Sequence, residues 1–122
     1  MSSTVNQYLM LGISLGYNKA NRLMQAQHGE QANDVQEKYE DNGYEKCIGH
    51  FEGMTLIADG MNGAYMFFGI VKKKTQADEW LGSVSIERPK PKEVRLVQEK
   101  AKALFGLDFM ASPGWHFITH WH

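Results

Sequence analysis

The chain has 122 residues, with 13 Lys and Arg against 14 Asp and Glu, for a formal net charge of −1. Apolar residues make up 43% and prolines number three, which fits one folded domain over 1–122 and excludes intrinsic disorder, a state that needs low hydrophobicity and high net charge. The balanced charge argues against a nucleic-acid coat, and the apolar stretches are too short to span a bilayer.

Val5 to Tyr17 comes first. Leu9, Leu11, Ile13 and Leu15 alternate with Met10, Gly12, Ser14 and Gly16, the period of a strand. Asn18 is placed to cap a helix over 19–27, with Ala20, Leu23, Met24 and Gln27 on one stripe. A second helical stretch, 30–40, carries Ala32, Val35 and Tyr39, and Gly29 either separates the two or only weakens one long helix. Asp41-Asn42-Gly43 is a turn signal. Cys47 to Ala58 reads as a less regular strand with a bulge at Gly53.

Asp59-Gly60-Met61-Asn62-Gly63 contains both D-G and N-G, a strong hairpin signal. Ala64 to Val71 follows, apolar on both faces as a central strand is, and ends in three lysines, 72–74. The stretch 75–82 reads as loop, and 83–86 as a short extra strand. Pro89 and Pro91 keep 88–90 extended, and Pro91 opens a helix to Leu104 or Phe105 that Gly106 ends. Trp115 to His122 alternates as a terminal strand.

The fold class is therefore α+β: a four- to five-stranded antiparallel or mixed sheet with helices on one face. The order strand, helix, strand, strand, helix, strand favours the ferredoxin-like (βαββαβ) arrangement, in which the first and third strands are central. With helices on one face only, the second face is expected to be open. Tyr65 and Phe67 lie on one side of the third strand, and Met66, Phe68 and Ile70 on the other. A large exposed apolar patch marks an interface. Met61, Asn62, Tyr65, Met66, Phe68 and Ile70 are thus the expected interaction surface, Met61 being an apolar residue at a hairpin tip.

Charge is unevenly spread. Residues 1–60 hold four basic and eight acidic side chains, and residues 61–122 hold nine and six. Lys72, Lys73, Arg88 and Lys90 are candidates for a patch that holds an anionic ligand such as a nucleotide. A solvated strand end and helix start is the plainer explanation of the same charges. The central strand lacks the interleaved glycine, basic and aromatic residues of an RNA-recognition sheet, so nucleic acid is not the expected partner.

His116, His120 and His122 share a strand face, and two of them two residues apart can converge on one ion. Their spacing matches neither a zinc finger nor an H-E-x-x-H helix, so no metal is expected. Paired H-x-T/S units of a phosphoesterase are broken at both His50 and His116. Asp59 and Asn62 suit turn dihedrals, and the lone Cys47 suits a small buried side chain in a reducing compartment. The first twenty residues lack the layout of a secretory signal. No phosphate-binding loop, dinucleotide fingerprint or nucleophile elbow is present, so no cofactor and no catalytic residue are expected.

Three stretches, Y-L-M-L-G-I-S-L, D-G-M-N-G-A-Y-M-F-F-G-I-V and F-I-T-H-W-H, resemble a loose group of small accessory proteins of tailed bacteriophages. That resemblance carries no catalytic residues. It implies a non-enzymatic protein in the cytoplasm of an infected bacterium that binds and inhibits a host protein, such as an antiviral defence component. The alternatives are a protein that sequesters a nucleotide signal and a metal-dependent hydrolase built on the three histidines. The open sheet face has three candidate covers, the 75–86 segment, a partner or a second copy of the chain, and the last makes a homodimer or higher homo-oligomer an expected form.

Overall fold

The computed structural model describes residues 5–40, 52–59, 63–76, 86–106, 109 and 112–121. Four strands form one antiparallel sheet: β1 (Val5–Gly16), β2 (Thr55–Ala58), β3 (Tyr65–Gln76) and β4 (Gly114–Trp121). Their order is β2-β3-β1-β4, so β1 and β3 are central and β2 and β4 are edges. Helices α1 (Tyr17–His28) and α2 (Ala32–Tyr39) link β1 to β2, and α3 (Pro91–Phe105) links β3 to β4. This is the α+β architecture expected of the element order. No helix among the described residues is long and apolar enough to cross a membrane.

Local chemistry explains most boundaries. Gly29 adopts a positive φ of 59°, ends α1 and starts a 3₁₀ turn over Gly29–Gln31. It thus divides two helices rather than weakening one. Pro91 occupies the first turn of α3, where its missing N–H costs nothing, and Gly106 follows the last turn. Gly53 forms a turn rather than a bulge, because Glu52 and Gly53 both take positive φ, 52° and 79°. Residues 47–51 of the expected second strand lie outside the described residues, as does most of 83–86.

The third strand runs past its apolar stretch to Gln76. It takes in the lysine run because β1 supplies partners for it: Leu9 faces Lys73 and Tyr8 faces Lys74. A bulge sits at this point. Met10 pairs with Val71 and Leu9 with Lys73, so Lys72 is an extra residue in β3.

Register decides which face each residue joins. Ile13 faces Phe68 and Leu15 faces Met66 across the β1–β3 ladder, and directly opposed residues share a face. That face packs on the helices, in a core of Ile13, Leu56, Met66 and Phe68 with Met24 of α1, Tyr39 of α2, and Val97, Leu104 and Phe105 of α3. Phe68 is clasped edge-to-face by Tyr39 at 5.4 Å and Phe105 at 5.9 Å. Such aromatic pairs add about 0.5–1.5 kcal/mol each beyond their burial.

The other face is not open at its centre. Tyr8 and Met10 have no exposed surface, and Ile57, Val71 and Ile118 are buried beside them. Tyr65 and Phe67 are half-buried at the margin of this second cluster. The apolar side chains of the second face are therefore largely buried within one chain.

A row of three glycines crosses the sheet. Gly12 in β1 faces Gly69 in β3 on one side and Gly114 in β4 on the other. A Cβ at Gly12 would lie 2.4 Å from the Phe68 carbonyl oxygen and 2.9 Å from the Met10 sulfur. At Gly69 it would lie 2.3 Å from the Leu11 carbonyl oxygen. The strands approach too closely for any side chain at these two places, and Met10 occupies the space beside Gly12.

Candidate functional site

The sheet register and the bulge bring together side chains that are distant in sequence. On the helix-facing side, Lys73, Leu9 and Phe117 stand in one row across β3, β1 and β4. Trp115 stands two residues along β4 from Phe117. The bulge places Lys72 beside Lys73, while Lys74 turns to the opposite face, its Nζ 5.5 Å from the centre of the Tyr8 ring.

Above this row runs the extended segment that leads into α3. Pro89 and Pro91 fix its backbone and remove two N–H donors, so it needs an anchor from elsewhere. Trp115 supplies one: its Nε1 donates to the Glu87 carbonyl oxygen at 2.9 Å. Lys72 and Glu93 form an ion pair that ties the bulge to the first turn of α3. Glu93 also suits the positive end of the helix dipole.

The result is a groove of about 260 Å³ lined by Leu9, Lys72, Lys73, Glu87, Arg88, Pro89, Lys90, Glu93 and Trp115. Four cations face two carboxylates. Among the described residues Arg88 and Lys90 have no ion-pair partner, and both are exposed. No side chain caps the N-terminus of α3, whose first residue, Pro91, follows Lys90 directly. The positive end of that helix adds to the field of the cations. The chemistry available here is charge-assisted hydrogen bonding to an anion beside apolar side chains. Among the described lining residues no nucleophile is paired with a base.

The candidate anion patch of Lys72, Lys73, Arg88 and Lys90 is thus assembled around one groove. The expected interaction surface is not. Met66 and Phe68 are 1% and 0% exposed and pack under the helices, so they are unavailable to a partner. Ile70 is half-buried against the same core, while Tyr65 lies on the opposite face with Phe67, ring centres 5.4 Å apart. The error is one of phase: alternation separates the two sets of side chains but does not say which set the helices cover. Met61 and Asn62 lie outside the described residues.

His116 is half-buried on the second face, its ring 5.4 Å from that of Phe67 and its backbone opposite Met10. The backbone of His120 faces Asn6, and His122 lies outside the described residues. Among the described residues no three His, Cys, Asp or Glu side chains converge as metal ligands would. Cys47 and His50 also lie outside them.

Asp59 closes the β2–β3 hairpin. Its Oδ2 accepts from the Ala64 N–H at 3.2 Å, and its carbonyl oxygen accepts from the Gly63 N–H at 2.9 Å. Burial, and after it the Asp59 charge, raise the Tyr65 hydroxyl above its usual range. A second cleft, about 390 Å³, lies between α1 and α2 among Tyr17, Asn21, Gln25, Asn33, Gln36, Glu37 and Glu40. Burial raises the Glu40 carboxyl there, against a hydrogen bond from Gln36 that lowers it.

Trp115 and Leu9 are the groove residues that their sequence context does not announce. Each reads as an ordinary strand residue, and only the β1–β4 pairing brings them together. Compared with protein-family models, curated proteins and solved structures, the chain matches none.

Proposed function

We propose that the chain is a non-catalytic binding protein that sequesters a small anionic ligand in the groove between β1, β3 and the α3 entry. The observation that carries this reading is the convergence of Lys72, Lys73, Arg88 and Lys90 on one groove walled by Trp115. Arg88 offers a planar fork suited to phosphate or carboxylate, and Lys90 a mobile point charge. The resemblance to phage accessory proteins supplies a context: removal of an anionic signal from the cytoplasm of an infected bacterium. Titration with inorganic pyrophosphate tests it by calorimetry. Binding that weakens at least tenfold in the double variant Arg88→Ala, Lys90→Ala supports the reading, and no binding to the unaltered chain overturns it.

Inhibition of a host protein is a second reading, and one observation favours it. Phe117 is 58% exposed on the edge strand β4, and large aromatics of this kind anchor protein interfaces. The contact surface then centres on β4 rather than on β3. Phe117→Ser would abolish capture of that host protein and, adding no charge beside Lys73, leave pyrophosphate binding within twofold.

A further inference from the structure

We infer that the anionic ligand carries a flat aromatic group and is the size of one nucleotide, its ring lying on Trp115 and its phosphate on Arg88 and Lys90. The inference rests on the groove reading above and adds the ligand class to it.

Two unlike sets of lining side chains support it. One set is cationic, Arg88 and Lys90 with the lysines of β3, and outnumbers the carboxylates of Glu87 and Glu93. The other set is apolar, Leu9, Pro89 and Trp115, interleaved with the first: Leu9 lies opposite Lys73, and Pro89 between Arg88 and Lys90. Trp115 has a single polar atom, Nε1, and that atom is already engaged by the Glu87 carbonyl oxygen. What the indole has left for a ligand is its face, and a ring face is satisfied by stacking.

Phe117 extends the same surface. It stands on the same side of β4 as Trp115, opposite Leu9, and is the more exposed of the two. A bare phosphate or pyrophosphate would use the cations and leave both aromatic rings in water. A free nucleoside would use the rings and leave Arg88 and Lys90 idle. A mononucleotide uses both sets at once, and a groove of about 260 Å³ has room for one such unit.

The test compares adenosine 5′-monophosphate, ribose 5-phosphate and adenosine by calorimetry on the full chain, with a thymidine hexanucleotide as a fourth ligand. Stacking on one aromatic side chain corresponds to roughly 5- to 160-fold in affinity. Adenosine 5′-monophosphate is therefore expected to bind at least fivefold tighter than ribose 5-phosphate. Trp115→Leu should remove that difference, and the exposed-site variant Phe117→Ser should reduce it without disturbing the fold. Equal binding of the two phosphates overturns the inference and leaves the anion-binding reading standing. Tighter binding of the hexanucleotide than of the mononucleotide overturns it in favour of single-stranded nucleic acid. Absence of binding by every phosphate overturns both.

Discussion

The indole Nε1 of Trp115 donates to the main-chain carbonyl oxygen of Glu87 over 2.9 Å, joining the start of β4 to the segment that enters α3. That segment carries two prolines and so has few N–H groups with which to hold itself. The bond fixes where Arg88 and Lys90 stand. Replacing Trp115 by Phe keeps an aromatic face and deletes the donor. Stability should fall by about 1 kcal/mol, the net worth of one hydrogen bond, while anion affinity falls more than that because the cationic side chains loosen. Denaturant unfolding and pyrophosphate titration on the same variant measure both.

Phe68 is the strongest test of the core. It has no exposed surface and meets Tyr39 and Phe105 edge-to-face. Phe68→Ala should cost about 3–5 kcal/mol by denaturant unfolding, from lost burial and the cavity left behind. Phe117→Ala, at a site 58% exposed, should change stability by less than about 0.5 kcal/mol.

The glycine row predicts a sharp contrast within one line of the sheet. Gly12→Ala places a methyl 2.4 Å from a backbone oxygen, whereas a Cβ at Gly114 meets nothing within 4 Å. The first substitution should cost more than about 2 kcal/mol by forcing the strands apart, and the second should be tolerated. Thermal unfolding of the two variants side by side decides it.

Glu40 predicts a pH dependence. Burial raises its folded-state pKa above the usual 4.5, so the folded state holds the proton more tightly than the unfolded state. The destabilising contribution is absent below the unfolded pKa and grows as pH rises through the folded one. Glu40→Gln removes the charge and should raise the unfolding midpoint at pH 7 relative to the parent, with the difference vanishing near pH 4. An equal difference at both pH values would rule out this cause.

Much of the fold is legible in the residues. Alternation over β1, Pro91 at the head of α3, Gly29 after α1 and the D-G and N-G pair each mark an element through its own backbone preference. The phase of β3 is not legible in this way, because Met66 and Phe67 are equally apolar and only the pairing of Ile13 with Phe68 assigns the faces. The bulge at Lys72 is likewise set by the register against β1. Half of the groove is readable as clustered Lys and Arg. The aromatic half is not, since Trp115 reaches it only through its opposition to Leu11 across the β1–β4 ladder.

Amide and indole chemical shifts on titration with adenosine 5′-monophosphate report directly whether this one groove binds an anion. Saturable shifts are expected at Leu9, Lys72, Lys73, Glu87, Arg88, Lys90, Glu93, Phe117 and the Trp115 indole N–H. Saturable shifts centred instead on the α1–α2 cleft around Asn21 and Gln36, or no shifts at all, would contradict it.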